Sequence, residues 1–209
     1  MTASELTWAA GLHWAFAHRA WCGLFCQYPD GLVVCRYELT WLYSVPEDAA
    51  LDLLALMKTH HIERLQFLAM DPKMFPRTDE SGRRARVQTV SMTFGDAGLP
   101  VKRGHEDWPA AWQRVRAWLV PRPRANGIKV PTLRVHEACE YLIRTLPVVI
   151  ASDTDPDQAE DSEDSIPARA LSYYVMARPM PVQLAPPAMP PDAIGHEVQK
   201  LRDAIERGK

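Results

Sequence analysis

The 209-residue chain has only four cysteines, Cys22, Cys26, Cys35 and Cys139. The first pair is separated by three residues within strand-like sequence and the fourth is remote, which does not match a zinc spacing, so buried free thiols are expected. There is no basic excess: the formal net charge is −2, which excludes nucleic-acid binding by bulk electrostatics and leaves only local contacts. No apolar run approaches the eighteen or so residues of a membrane span, and Met1 to Leu6 lacks a basic region followed by an apolar core. A cytoplasmic protein with no membrane partner is expected. A Gly-x-x-x-x-Gly-Lys-Ser/Thr phosphate loop and internal repeats are also absent. Acids are missing between Leu6 and Pro29, and Lys and Arg are missing from the run Asp153 to Asp164.

What is present is charge segregation. Arg83, Arg84 and Arg86 open a basic stretch that continues through Lys102, Arg103, Arg114, Arg116, Arg122, Arg124 and Lys129, whereas acid gathers from Asp153 to Asp164. The acidic run reads as a solvated loop.

The local patterns predict alternating elements. Leu6 to Tyr28 and Gly31 to Leu39 read as two antiparallel strands about the turn Pro29-Asp30-Gly31. Ser44-Val45-Pro46-Glu47 has capping-box form and opens a helix with Ala50, Leu51, Leu54 and Met57 on one face. Leu65 to Met70 reads as an interior strand at the sheet's centre. Arg77 to Arg86 reads as a loop, and Thr89 to Ala97 as either strand or helix. Trp108, Ala111, Trp112, Val115, Trp118 and Leu119 follow helical spacing. Thr132 to Val135 reads as a short strand, Glu137 to Leu146 as a helix, and Pro167 as the first turn of a last core helix bearing Leu171, Tyr174, Val175 and Arg178 on one side. The expected organisation is a core over 1–178, a Pro-rich linker over 179–195 and a short helix over 196–209.

Asp71 stands out within this pattern, because it closes an apolar strand and Pro72 forbids the strand to continue. A carboxylate in that place sits at the rim of a sheet, where α/β folds bind ligands and metals. Taken alone, such an aspartate more often accepts backbone hydrogen bonds at a strand-to-loop turn.

Five segments, in order, resemble the C-terminal nuclease domain of a tailed-phage terminase large subunit. They are Ala10-Gly11-Leu12-His13-Trp14-Ala15, similar to a first-strand Gly-x-Asp-Trp-Gly; Met70-Asp71-Pro72-Lys73-Met74-Phe75, similar to the second acidic motif; Trp112 to Leu119; Tyr141 to Pro147; and Ala170-Leu171-Ser172-Tyr173. The resemblance implies a ribonuclease H-like α/β fold, with a central mixed sheet of about five strands flanked by helices and a Pro-rich C-terminal extension. It also implies metal-dependent cleavage of concatemeric double-stranded DNA in genome packaging, in the cytoplasm of a phage- or prophage-carrying host. Acidic side chains would hold Mg²⁺ or Mn²⁺ ions roughly 4 Å apart, and a packaging ATPase domain, a small terminase subunit or a portal would be partners.

On this resemblance the metal and catalytic positions fall on Asp71, with Asp164 and Glu163 supplying the late acids, and on His13 as a degenerate first position. Arg83, Arg84, Arg86 and Lys73 would face DNA. The chain departs from the family pattern twice: His13 stands where an aspartate is expected, and Ser165 and Arg169 stand where the late helix carries acids. Imidazole is a poor Mg²⁺ ligand, and a guanidinium opposes cation binding. His13 reads either as a rim residue packed among Trp8, Trp14 and Phe16 or as a ligand for a softer ion such as Mn²⁺ or Zn²⁺. Two functional expectations result: a nuclease with a degraded acidic site, or a catalytically inactive module that binds DNA or a motor partner, or persists as a prophage remnant.

Overall fold

The computed structural model describes residues 6–15, 18–76, 88–123, 128–149 and 162–178. The predicted linker over 179–195, the helix over 196–209, most of the acidic run and the Arg83, Arg84 and Arg86 cluster lie outside the described residues.

The amino-terminal segment forms three strands rather than the two expected: β1 (Thr7–His13), β2 (Arg19–Gln27) and β3 (Val33–Leu42). The connection between β1 and β2 carries no Gly or Pro, so the turn chemistry that marks Pro29-Asp30-Gly31 is missing from it. At the marked turn, Gly31 adopts a φ of 83°, and the Asp30 carboxylate accepts the Leu32 amide at 3.0 Å.

Helix α1 (Pro46–Thr59) starts at Pro46 with Val45 at its cap and no side-chain cap bond. The expected Ser44 cap is therefore not used. The buried stripe is Ala49, Ala50, Leu53 and Met57, and Leu51, expected on that face, is 62% exposed.

Strand β4 (Leu68–Met70) and strand β5 (Val101–Arg103) flank α2 (Val90–Asp96). The segment read as strand or helix is thus a helix. Helix α3 (Trp108–Leu119) is capped by Asp107, whose carboxylate accepts the Ala110 amide at 3.0 Å. A small pair, β6 (Arg122–Pro123) and β7 (Lys129–Val130), precedes β8 (Leu133–Val135), α4 (Glu140–Thr145) and α5 (Ile166–Ala177).

Among the described residues the main sheet has six strands in the order β5-β4-β1-β2-β3-β8. Strands β1, β2 and β3 form an antiparallel meander, β4 and β5 run parallel to β1, and β8 runs parallel to β3. β4 lies one place from the edge, so the centre belongs to β1 and β2, which pair with each other along the whole of β1.

Alternation along the strands sends side chains to two cores. Ala10, Leu12, Cys22, Leu24 and Leu68 pack under α1 and α2. Ala9, Trp21, Phe25 and Cys35 pack under α3, α4 and α5. Helix α5 is buried along nearly its whole length, from Ile166 to Val175, because it lies directly on β1 and β2 and is overlaid by α3 and α4. The sheet is thereby covered on both faces, as parallel βα units require.

Candidate functional site

Register places the site. Leu12 of β1 pairs with Met70 of β4, and Met70 with Arg103 of β5, so the next residues, His13, Asp71 and Gly104, emerge side by side at one end of three parallel strands. Ligands bind at that end in open α/β sheets.

Asp71 is 7% exposed. Its carboxylate accepts the Lys73 amide at 2.8 Å and so caps the single turn Pro72–Met74. Its other oxygen faces Nδ1 of His13 at 3.6 Å, longer than a hydrogen bond. The Tyr173 hydroxyl of α5 completes the cluster. Burial, then the charge of Asp71 and the hydrogen bond made to its carboxylate, push the Tyr173 phenol far above its ordinary range. The Tyr173 ring lies nearly parallel to the His13 ring, with centroids 6.3 Å apart.

Gly104 closes the other side. A methyl group there would sit 2.7 Å from the Tyr173 ring and 2.8 Å from the Met70 carbonyl, so only glycine lets the chain leave β5 this close to the site. Beyond it, Trp108 meets the Tyr173 ring at 5.6 Å, and the Arg169 guanidinium lies 5.3 Å from the Trp108 ring centre. Arg169 stands one turn before Tyr173 on α5 and partly offsets, at the Tyr173 hydroxyl, the charge of Asp71.

The sequence-predicted residues therefore divide. Asp71 and His13 are brought together. Lys73 is exposed beside them and contributes its backbone amide. Glu163 and Asp164 form an exposed turn elsewhere, beside Tyr141, whose hydroxyl donates to the Glu163 carbonyl at 3.0 Å and whose pKa their carboxylates help to raise after burial has done so. Tyr173, Trp108 and Gly104 were not singled out by sequence as site residues. The signal for Tyr173 was present in its four-residue spacing from Arg169, which puts both on one helical face.

The donor set does not fit a pair of hard divalent ions. Among the described residues no three His, Cys, Asp or Glu side chains gather in a metal-holding group. Among the described residues the carboxylate at the rim is Asp71, which already accepts the Lys73 amide, and its neighbours are imidazole, phenol and guanidinium rather than a second carboxylate.

No protein-family model matches the chain, and no curated protein matches it by sequence. Solved structures do match. The nuclease domain of the P22 large terminase superposes with a TM-score of 0.61 over 86% of this chain and 85% of that one, at 10% identity. The large terminase of a thermophilic bacteriophage superposes with a TM-score of 0.59 over 84% of this chain, at 11% identity. The fold is that of a large-terminase nuclease domain. The chain spans 40% of the thermophilic phage's large terminase, so the likeness concerns that part alone. A terminase-type nuclease fold with a mixed six-stranded sheet bears out the ribonuclease H-like expectation.

Proposed function

We propose that this chain is a terminase nuclease-type module of phage genome packaging in which metal-dependent cleavage of concatemeric double-stranded DNA has lapsed while contact with DNA is kept. The observation that carries this reading is the make-up of the strand-end cluster among the described residues: one carboxylate, Asp71, held by the Lys73 amide and faced by His13, with Tyr173 beside it and Arg169 on the adjoining turn of α5. Two adjacent dications need several carboxylates packed between them, and here His13 stands at the first acidic position and Ser165 and Arg169 at the late ones.

The remaining roles follow from the same reading. The packaging ATPase, the small terminase subunit and the portal are the motor-side partners it admits, in the cytoplasm of a host cell. No helix among the described residues is long and apolar enough to cross a membrane.

Nicking of supercoiled plasmid in Mg²⁺ and in Mn²⁺ tests the proposal, using the native chain, Asp71→Ala and the double variant His13→Asp/Arg169→Asp. No cleavage by the native chain above the Asp71→Ala background is expected. Native cleavage that disappears in Asp71→Ala would overturn the lapse and make Asp71 a metal ligand, with Mg²⁺ or Mn²⁺ as cofactor and Asp164 or Glu163 as its companion.

A further inference from the structure

Strand β3 is longer than the neighbour that covers its outer side. β8 pairs with it only from Val33 to Cys35, whereas β2 follows it to Leu42, with Arg36 skipped in the pairing. The stretch Arg36–Leu42 therefore has a strand on one side and, among the described residues, none on the other. It contains neither Lys nor Pro, the residues that commonly blunt an open edge. Tyr37 and Leu39 are half-buried, Thr40 and Leu42 are exposed, and Tyr43 just beyond is 76% exposed at a φ of 55°.

The stretch is self-complementary about a two-fold axis. In an antiparallel pair with Leu39 opposite itself, Tyr37 faces Trp41 on the α1 side, and Glu38 faces Thr40 on the α4 side, so no like charges meet. The adjoining surface has the same property. A cavity of about 450 Å³ lies between the edge and α4, lined by Arg19, Glu38, Thr40, Glu140, Tyr141 and Arg144. Arg19 and Arg144 each lie 5.2 Å from the centre of the Tyr141 ring and form no ion pair among the described residues. Two guanidiniums and two carboxylates on one surface suit a partner that carries the same groups in exchanged places, as an isologous contact supplies. A polyanion, by contrast, would meet Glu38 and Glu140. We propose that β3 of a second copy of this chain pairs antiparallel with Arg36–Leu42, joining two sheets into one across the axis. This self-association goes beyond the reading above and holds whether or not the strand-end cluster cleaves DNA.

Sedimentation velocity of the full chain over a wide concentration range, with amide hydrogen exchange at both ends of that range, provides the test. The native chain shows a monomer–dimer equilibrium, and amides between Tyr37 and Leu42 gain protection as the dimer forms. Thr40 is exposed, so changes there leave the fold intact. Thr40→Glu sets a carboxylate opposite the partner's Glu38 at both symmetric contacts and weakens the dimer about tenfold or more, whereas Thr40→Lys at the same place keeps or tightens it. A monomer at every concentration overturns the proposal. A dimer in which exchange between Tyr37 and Leu42 does not depend on concentration also overturns it, because another surface then makes the contact. A dimer that Thr40→Glu and Thr40→Lys affect alike overturns the register centred on Leu39.

Discussion

Gly11 of β1 faces the Ala170 carbonyl of α5 with no room for a side chain between them. A Cβ on Gly11 would collide with that carbonyl oxygen and lie 3.0 Å from Cβ of Tyr174. This seam sets how closely α5 approaches the strand that ends in His13, and so how closely Tyr173, one turn further along, approaches Asp71. Backbone cannot yield as a flexible side chain can, so Gly11→Ala is expected to lower stability by about 1–3 kcal/mol or more, read as a shift in the urea midpoint. Gly95→Ala gives the opposite sign. Gly95 is an exposed helical glycine whose new methyl would meet only Val101, at 3.8 Å, and the change is expected to stabilise by about 0.4–1 kcal/mol.

Glu38 of β3 does the capping that the sequence around α4 does not provide. Cys139 at the cap makes no side-chain cap bond. Instead the Glu38 carboxylate accepts the Tyr141 and Leu142 amides at 2.7 and 3.1 Å and the Trp21 indole N–H at 2.8 Å. Glu38→Ala strands three donors in a partly buried place, at a cost of about 1–3 kcal/mol for each fully unmet group, and should loosen α4 first. Amide hydrogen exchange checks this: Tyr141 and Leu142 lose protection in Glu38→Ala, whereas Glu38→Gln, which retains one acceptor oxygen, keeps most of it.

Such distant partnerships separate what the sequence made legible from what it did not. The Trp108 to Leu119 helix and the strand ending at Asp71 were readable because their signals are local: apolar spacing in the first, Pro72 in the second. The β1–β2 division was not, because its connection lacks turn residues, and neither was the face of α1, where Leu51, Leu53, Leu54 and Leu56 surround the helix and only packing decides that Leu53 is buried and Leu51 exposed. The pairing of His13 with Asp71 was implied by a family resemblance and is built by the parallel register of β1 and β4, which no local pattern encodes. Glu163 and Asp164 stand on a turn tied to Tyr141 through the Glu163 carbonyl, a partnership that sequence spacing does not encode.

Alkaline pH is expected to destabilise the fold through its buried thiols and phenols. Burial raises the pKa of Cys22, Cys26 and Cys35, and of Tyr173 and Tyr174, above the ordinary values. These groups stay protonated in the folded state at a pH where the unfolded chain releases its protons, from about 8.5 for thiols and about 10 for phenols. The unfolded state then holds fewer protons, so stability is fully present below about pH 8.5 and declines as pH rises through that range toward the raised folded values. Urea midpoints measured at about pH 7, 9 and 10.5 should fall in that order. Cys22→Val, which removes one such group from the core, should flatten the decline.

The strand-end cluster can be interrogated through stability alone, with every divalent ion chelated. A carboxylate kept only to hold metal is a burden on the metal-free fold, and its removal is neutral or stabilising, the usual trade between a working site and stability. Asp71 has another occupation, since it caps the Pro72–Met74 turn by accepting the Lys73 amide at 2.8 Å. Asp71→Ala in EDTA is therefore expected to cost about 1–3 kcal/mol, the penalty for leaving buried donors unmet. Tyr173→Phe, which removes one donor and leaves Asp71 its amide partner, should cost about 1 kcal/mol. Because the Tyr173 hydroxyl lies close enough to Asp71 for the carboxylate to act on it, the double variant Asp71→Ala/Tyr173→Phe should cost less than the sum of the single changes, by about 0.5 kcal/mol or more. Equal or greater stability of Asp71→Ala would show instead that the carboxylate is still held in readiness for a cation.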